Sequence, residues 1–385
     1  MDRLMQIVDF RITRFQFDRD RLIGDSQISS NEVHAASLEL VGNDGSVGLG
    51  FVNSVMAGLP DENEIARVFA LEAWPELEGQ IPAVLAHRQL MRRGGNRRKM
   101  SLPFEDAIQQ AIWDIYAKSM KLPLWKLLGG VKEKVRAYAS GLDFHLSDHD
   151  FCQIFARAAK DGHTAFKIKV GHPDVQRDVH RLDLLKSTIG PEAIVMVDAN
   201  EAWTPKQTLR ALDLFRKAGH SIFWVEDPIP RDDMAGLRLL RGGSGTTYLN
   251  TGEYLDVTGK RSLIDAGAAD IINVGGQITD VMRLGWYAAE KNVELALGNS
   301  FLEVGVNLAV ALPEVNWLEY SYQNLDHLVN KTFDIRDGYI FPSNEAGHGL
   351  TLSEEARKNW RRPSPVGAES GEADVRVGLA KVGAR

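Results

Sequence analysis

From residue 134 onward the chain repeats one theme: a short apolar run, a stretch with helical spacing, then another apolar run. The runs begin near Val135, Thr164, Ile194, Ser221, Thr247, Ala269, Val293 and Val315, about 22 to 30 residues apart. That spacing suits a strand, a short loop and a helix that carries the chain back to start a parallel neighbour. Helix-like text separates the runs, as in Thr208-Leu209-Arg210-Ala211-Leu212 through Phe215. Eight such units predict an α/β fold closed as a barrel of parallel strands. Periodicity alone also permits an open doubly wound sheet. No glycine-rich dinucleotide fingerprint follows the first strand, which weighs against that alternative.

The text before the repeat is of a different kind. Ile7 to Phe17 and Glu32 to Leu40 alternate as strands, and Asn43-Asp44-Gly45 supplies a turn before Ser46 to Phe51. Glu62 to Leu90 and Phe104 to Ser119 carry helical spacing, the latter through Ala107, Ile108, Ala111, Ile112 and Ile115. Turn-and-strand text returns at Ile335-Arg336-Asp337-Gly338-Tyr339-Ile340, and residues 363–385 read as a mobile tail. The expected division is an α+β unit over 1–130, completed by about 330–362, and a barrel over 131–329.

Composition narrows the function. A net charge of −7 offers no basic field for nucleic acid or an anionic membrane, and the only basic run is Arg92-Arg93 with Arg97-Arg98-Lys99. No run approaches the roughly 18 apolar residues of a membrane span. The start lacks a signal-peptide apolar stretch. Cys152 is the single cysteine, so no internal disulfide forms, and a cytoplasmic enzyme is the expectation.

The chemistry sits at the ends of the runs. Lys167 and Lys169, in Phe166-Lys167-Ile168-Lys169-Val170, are two apart and point to one face of a strand. Each of the next three runs ends on an acid: Asp198 in Val197-Asp198-Ala199-Asn200, Glu226 in Val225-Glu226-Asp227-Pro228, and Glu253 in Gly252-Glu253. A parallel barrel gathers its strand ends at one mouth. Three carboxylates there suit a hard divalent cation such as Mg²⁺, and lysines beside them suit proton abstraction next to a carboxylate. A neutral Lys169 is the candidate base, and Lys167 the partner of a substrate carboxylate oxygen.

These residues, with Ala111-Ile112-Trp113-Asp114 and Pro123-Leu124-Trp125-Lys126-Leu127-Leu128-Gly129-Gly130, resemble the enolase superfamily, in its mandelate racemase-like branch. The resemblance covers nearly the full length. It implies an α+β N-terminal capping domain over a modified TIM barrel, (β/α)₇β, with Mg²⁺ on Asp198, Glu226 and Glu253. Cap loops near residues 16–30 and 52–60 are then expected to close over a small carboxylate substrate. Assembly into homo-oligomers, dimers or octamers, is common in such proteins.

One departure shapes the expected reaction. The branch usually carries Asp at the end of strand six and His at the end of strand seven. Asp270, in Ala269-Asp270-Ile271-Ile272-Asn273, matches the first, while Asn299 stands at the second, where an amide neither gives nor takes a proton near neutrality. Glu303 matches a substrate-contacting carboxyl of relatives. Racemisation needs groups on both faces of the carbanion; β-elimination needs one base whose acquired proton serves the leaving hydroxyl. The expectation is therefore a dehydratase of a sugar acid, with His145 as a second candidate acid. Tyr138, Asn200, Trp203 and Gln277 are candidate pocket-lining residues. A racemase or epimerase, and a catalytically lapsed relative, stand as alternatives.

Overall fold

Alternation builds the first sheet. In β1 (Ile7–Gly24) Phe15, Arg19 and Ile23 are buried and Phe17 and Arg21 half-buried, while Gln16, Asp18, Asp20 and Leu22 between them are exposed, as a half-covered strand requires. β1 pairs antiparallel with β2 (Ser29–Gly42) from Phe10↔Leu40 to Asp18↔Glu32, then slips before Ile23↔Ser30. Asp44 accepts from Ser46 N (3.0 Å) and Oγ (2.6 Å) to close the turn into β3 (Val47–Ser54). The computed structural model describes residues 4–54, 58–91, 100–298, 300–330 and 333–359. The basic run at 92–99, Asn299 and the expected tail lie outside the described residues.

Behind this sheet lies the helix Glu105–Ser119, with Ala107, Ile108, Ala111, Ile112 and Ile115 buried. It sits so close to β3 that a Cβ at Gly48 or Gly50 would run into the carbonyls of Ala111 and Ala107. The single helical span expected over 62–90 is two helices, Glu62–Glu72 and Pro82–Met91. A 3₁₀ turn at Trp74–Glu76 and the left-handed Gly79 (φ 71°) separate them, because Pro75 cannot continue the backbone ladder.

Eight parallel strands follow: β4 (Val135–Ser140), β5 (Ala165–Lys169), β6 (Ile194–Asp198), β7 (Trp224–Glu226), β8 (Tyr248–Thr251), β9 (Ile271–Val274), β10 (Glu294–Leu297) and β11 (Val315–Ser321). Each begins within three residues of its expected start. β11 pairs with β4 from Trp317↔Arg136 to Ser321↔Ser140, so the sheet closes. One α-helix joins each successive pair, from Asp148–Lys160 to Val306–Ala311, and among the described residues no α-helix follows β11 before the next strand. The barrel is (β/α)₇β. Local chemistry supports each return. Thr204 and Gln207 form a reciprocal capping box, with Pro205 at the first turn of Pro205–Lys217.

The last described segment serves both units. β12 (Ile335–Arg336) and β13 (Tyr339–Ile340) form a hairpin that joins β4 antiparallel through Ile340↔Val135. Beyond it the chain returns to the cap. Buried Asp114 accepts from Leu49 N (2.9 Å) and His348 N (2.8 Å), and Arg357 pairs with Glu39 at 2.7 Å. Residues 16–24 continue β1 rather than forming a loop, and the following turn reaches the barrel mouth. Gly24 N donates to Leu142 O (2.8 Å), and the Gln27 amide donates to Asn200 O. Residues 55–57 of the second expected cap segment lie outside the described residues. Among the described residues, no helix is long and apolar enough to cross a membrane.

Candidate active site

The barrel interior is stacked in layers. Tyr138, Ala165, Met196, Trp224, Ile271, Ala296 and Trp317 make an apolar plug, with Trp224 edge-on to Tyr138 (5.1 Å) and Trp317 (5.9 Å). Two residues further along several of these strands, the inward positions become charged or polar: Lys167, Asp198, Glu226, Asn273 and Glu319. Period-two alternation thus places a polar layer on an apolar floor.

Strand register brings the charges together. Lys169 lies opposite Asp198, and Asp198 opposite Glu226, on adjacent strands. Lys169 Nζ donates to Asp198 Oδ2 at 2.6 Å and Lys167 Nζ to Glu226 Oε1 at 2.6 Å. Lys167 also lies 3.3 Å from Asp198 Oδ2 and 3.4 Å from Glu319 Oε1. Asn250, Asn273 and the Trp224 indole donate to Glu226 at 3.2, 3.0 and 3.1 Å. Glu253 reaches the group by a turn after β8. The Asp227 carboxylate fixes that turn, accepting from Gly252 N (2.9 Å) and the Thr251 hydroxyl. Asp143 pins the end of β5 by accepting from Lys169 N at 3.2 Å.

One oxygen from each of Asp198, Glu226 and Glu253 lies within 4.8 Å of the others. Burial raises the Glu226 carboxyl well above its usual range, with Asp198 and Glu319 adding to the effect and Lys167 opposing it. Glu253 is exposed as a residue, yet withdrawal of its carboxyl from water, reinforced by Asp198 and opposed by Lys169, pushes it up to about 7. Burial also acts on Asp198, but Lys169 and Lys167 outweigh it and hold the group low. Acids crowded until two resist ionisation are a donor set that a divalent cation stabilises, and oxygen-only ligands suit Mg²⁺. Burial disfavours both ammonium ions. Asp198 nevertheless lifts Lys169, and Glu226 with Glu319 lifts Lys167, above the ordinary lysine value.

The remaining candidate residues separate. Asp270 precedes β9 and therefore stands at the opposite end of the barrel from the mouth. There it pairs with Arg241 (2.9 Å) and accepts from Leu249 N (2.8 Å). Its expected place at the end of strand six is corrected: Val274 and Gly275 occupy that end. His145 is exposed, edge-on to Phe144 at 5.3 Å, and lines a surface cavity of about 590 Å³ with Asp20, Arg21 and Arg157. Tyr138 is fully buried in the plug, its ring 5.3 Å beneath the Lys167 ammonium, so it supports the site from below rather than lining a pocket. Glu303 is buried and caps the end of β11, accepting from Ser321 N at 2.7 Å. Asn200 sits at the mouth, its N–H on Asp198 Oδ1 (3.0 Å) and its amide nitrogen on the Tyr254 hydroxyl (2.6 Å). Trp203 is buried, and Gln277 accepts from Gln109 of the cap helix at 3.2 Å.

Glu319 escaped the sequence reading. It lies inside a run read only as the last strand, and its parity with inward Trp317 was the available signal. Among the described residues, no histidine forms a hydrogen bond or ion pair with Lys167, Lys169, Asp198, Glu226 or Glu253.

Known proteins resemble this chain in sequence and fold. Residues 15–129 match the mandelate racemase/muconate lactonizing enzyme N-terminal domain, and residues 152–356 match the enolase C-terminal domain-like family. L-talarate/galactarate dehydratase of Salmonella typhimurium is 31% identical over 339 residues, covering 85% of this chain and 82% of its own. A Mesorhizobium loti crystal structure named for mandelate racemase superposes with TM-score 0.89 at 54% identity, covering 94% of this chain and 95% of its own. L-talarate dehydratase of Polaromonas sp. JS666, complexed with Mg and L-glucarate, does so with TM-score 0.79 at 28% identity, covering 92% and 97%. More distant relatives include epimerases and cycloisomerases. With a lysine pair, an acidic triad and a capped (β/α)₇β barrel, the chain belongs to the enolase superfamily, in its mandelate racemase/muconate lactonizing enzyme family.

Proposed function

We propose that the protein is a Mg²⁺-dependent dehydratase of a sugar acid, an aldonate or aldarate, giving a 2-keto-3-deoxy acid. The observation that carries this reading is proton machinery that is one-sided among the described residues. Lys169 is buried against Asp198 on one wall of the mouth, whereas Asp270 lies at the far end and His145 on the surface. A racemase needs a proton carrier on each face of the carbanion; an elimination needs only one.

In the proposed reaction a neutral Lys169 takes the proton from the carbon next to the carboxylate. Negative charge builds on the carboxylate oxygens, where the Lys167 ammonium opposes it. The C–O bond to the 3-hydroxyl then breaks, and Lys169, now an ammonium, gives its proton to the departing oxygen on the same face. Water leaves, and the enol tautomerises to the 2-keto acid. When bound, the divalent cation supplies Lewis-acid stabilisation of the carboxylate and offsets the acidic cage around Lys169. The dehydratase relatives of talarate, galactarate and arabinonate support this chemistry class.

The test is a screen of mono- and diacid sugars with Mg²⁺, reading 2-keto acid formation. The expected hit is abolished by EDTA and falls at least about 10³-fold in Lys169→Ala, the scale of losing a catalytic base. Near wild-type turnover in that variant would overturn the assignment of Lys169. Hydrogen exchange at C2 in D₂O with inversion at that carbon and the hydroxyl retained would instead establish an epimerase.

A further inference from the structure

Three loops leave the barrel mouth, each just after one acid of the triad, and four of their side chains close into a ring. Asn200 and Glu201 follow Asp198, Arg231 lies five residues beyond Glu226, and Tyr254 follows Glu253 directly. Arg231 grips Glu201 with both prongs, Nε to Oε1 at 2.7 Å and Nη2 to Oε2 at 2.8 Å. Its own backbone N–H donates to the same Oε1 at 2.8 Å. The guanidinium lies 4.3 Å over the Tyr254 ring, and Nη1 donates to the Tyr254 carbonyl at 3.3 Å. The Tyr254 hydroxyl meets the Asn200 amide at 2.6 Å and completes the circuit. Asn200 and Glu201 hold left-handed backbones, φ 45° and 63°, to present these side chains. Such conformations persist where the surroundings impose them.

A partly exposed ion pair adds little to folding, so stability is a weak reason for this ring. Its geometry offers a better one. A bidentate Arg–carboxylate fork fixes direction as well as distance, and here it ties the loop after Asp198 to the loop after Glu226. The stacked Tyr254 ties both to the loop after Glu253. Asn200 N also donates to Asp198 Oδ1 at 3.0 Å, so the ring touches one triad carboxylate directly. Three acids within 4.8 Å repel one another, and a cross-link of their loops resists that spreading.

We infer that the ring of Asn200, Glu201, Arg231 and Tyr254 is a positioning clasp for the cation site, with Arg231 at its centre. This rests on the reading of Asp198, Glu226 and Glu253 as cation ligands and not on the reaction. Groups behind metal ligands typically contribute about 10–100-fold in affinity.

The experiment is a Mn²⁺ titration of the full chain, read by the electron paramagnetic resonance signal of free Mn²⁺, with thermal melting in EDTA alongside. Arg231→Met and Glu201→Gln are each expected to weaken Mn²⁺ binding about tenfold or more with an unchanged melting temperature. The exchange Glu201→Arg with Arg231→Glu is expected to recover part of the loss. Wild-type affinity in either folded single variant overturns the inference. So does a weakening matched by a lowered melting temperature and not relieved by the exchange. If Arg231→Met does not fold, Glu201→Gln decides alone. A wild-type protein that binds Mn²⁺ and loses it in these variants, yet dehydrates no acid sugar, leaves the clasp standing and overturns the dehydratase.

Discussion

Burial of Lys167 sets the terms at the residue scale. A fully enclosed ammonium is costly unless matched, and here Glu226, Asp198 and Glu319 surround it within 3.4 Å. Removing one member leaves the others unbalanced, so Glu319→Gln is expected to lower kcat/KM by about 10²-fold. Steady-state kinetics on the substrate found by the screen check this. Asp270 makes the opposite case: its partners are Arg241 and a backbone N–H at the far end of the barrel. Asp270→Asn is expected to leave kcat/KM within about twofold and to cost about 1 kcal/mol of stability, the scale of one partly exposed ion pair. A large loss of turnover with unchanged melting would restore it to the catalytic machinery.

Elements, not residues, carry the cap. The helix Glu105–Ser119 approaches β3 closely enough that Gly50→Ala would place a methyl against the Ala107 carbonyl. Overpacking of this kind typically costs about 1–3 kcal/mol, and chemical denaturation with the cap helix displaced is the expected readout. Much at this scale was legible. Eight runs at βα spacing located every barrel strand, and parity placed Lys167 and Lys169 on one face. Where reading failed, the cause was the place at which a strand stops. Asp270 opens the run that Val274 closes, and alternation marks the inward face of a run but not its last residue. The loop that the resemblance implied after Phe17 is instead the end of β1, where buried Arg19 donates to Gln323 O at 2.9 Å and half-buried Arg21 to Tyr322 O, so the barrel beneath holds the strand.

The whole molecule expresses itself in pH dependence. His163 lies buried below Tyr320 and Tyr322, and burial pushes its pKa down to about 4. The unfolded chain binds this proton below the ordinary value near 6.5, while the folded one refuses it until about 4. Stability from this group is therefore present above pH 6.5 and is lost as pH falls towards 4, by about 3 kcal/mol in all. Thermal melts across that window should show a shallower acid slope in His163→Leu than in wild type; equal slopes would exclude the effect. By itself the sequence determined the eight βα units, the lysine pair and the three acids at the ends of successive runs, because strand period and βα spacing are local properties of the chain. Only the tertiary structure decided that Glu319 joins Lys167, that Asp270 stays away from the mouth, and that Arg231 links three loops. Each depends on how distant strands are set against one another, and burial, charge balance and register act only once the barrel has closed.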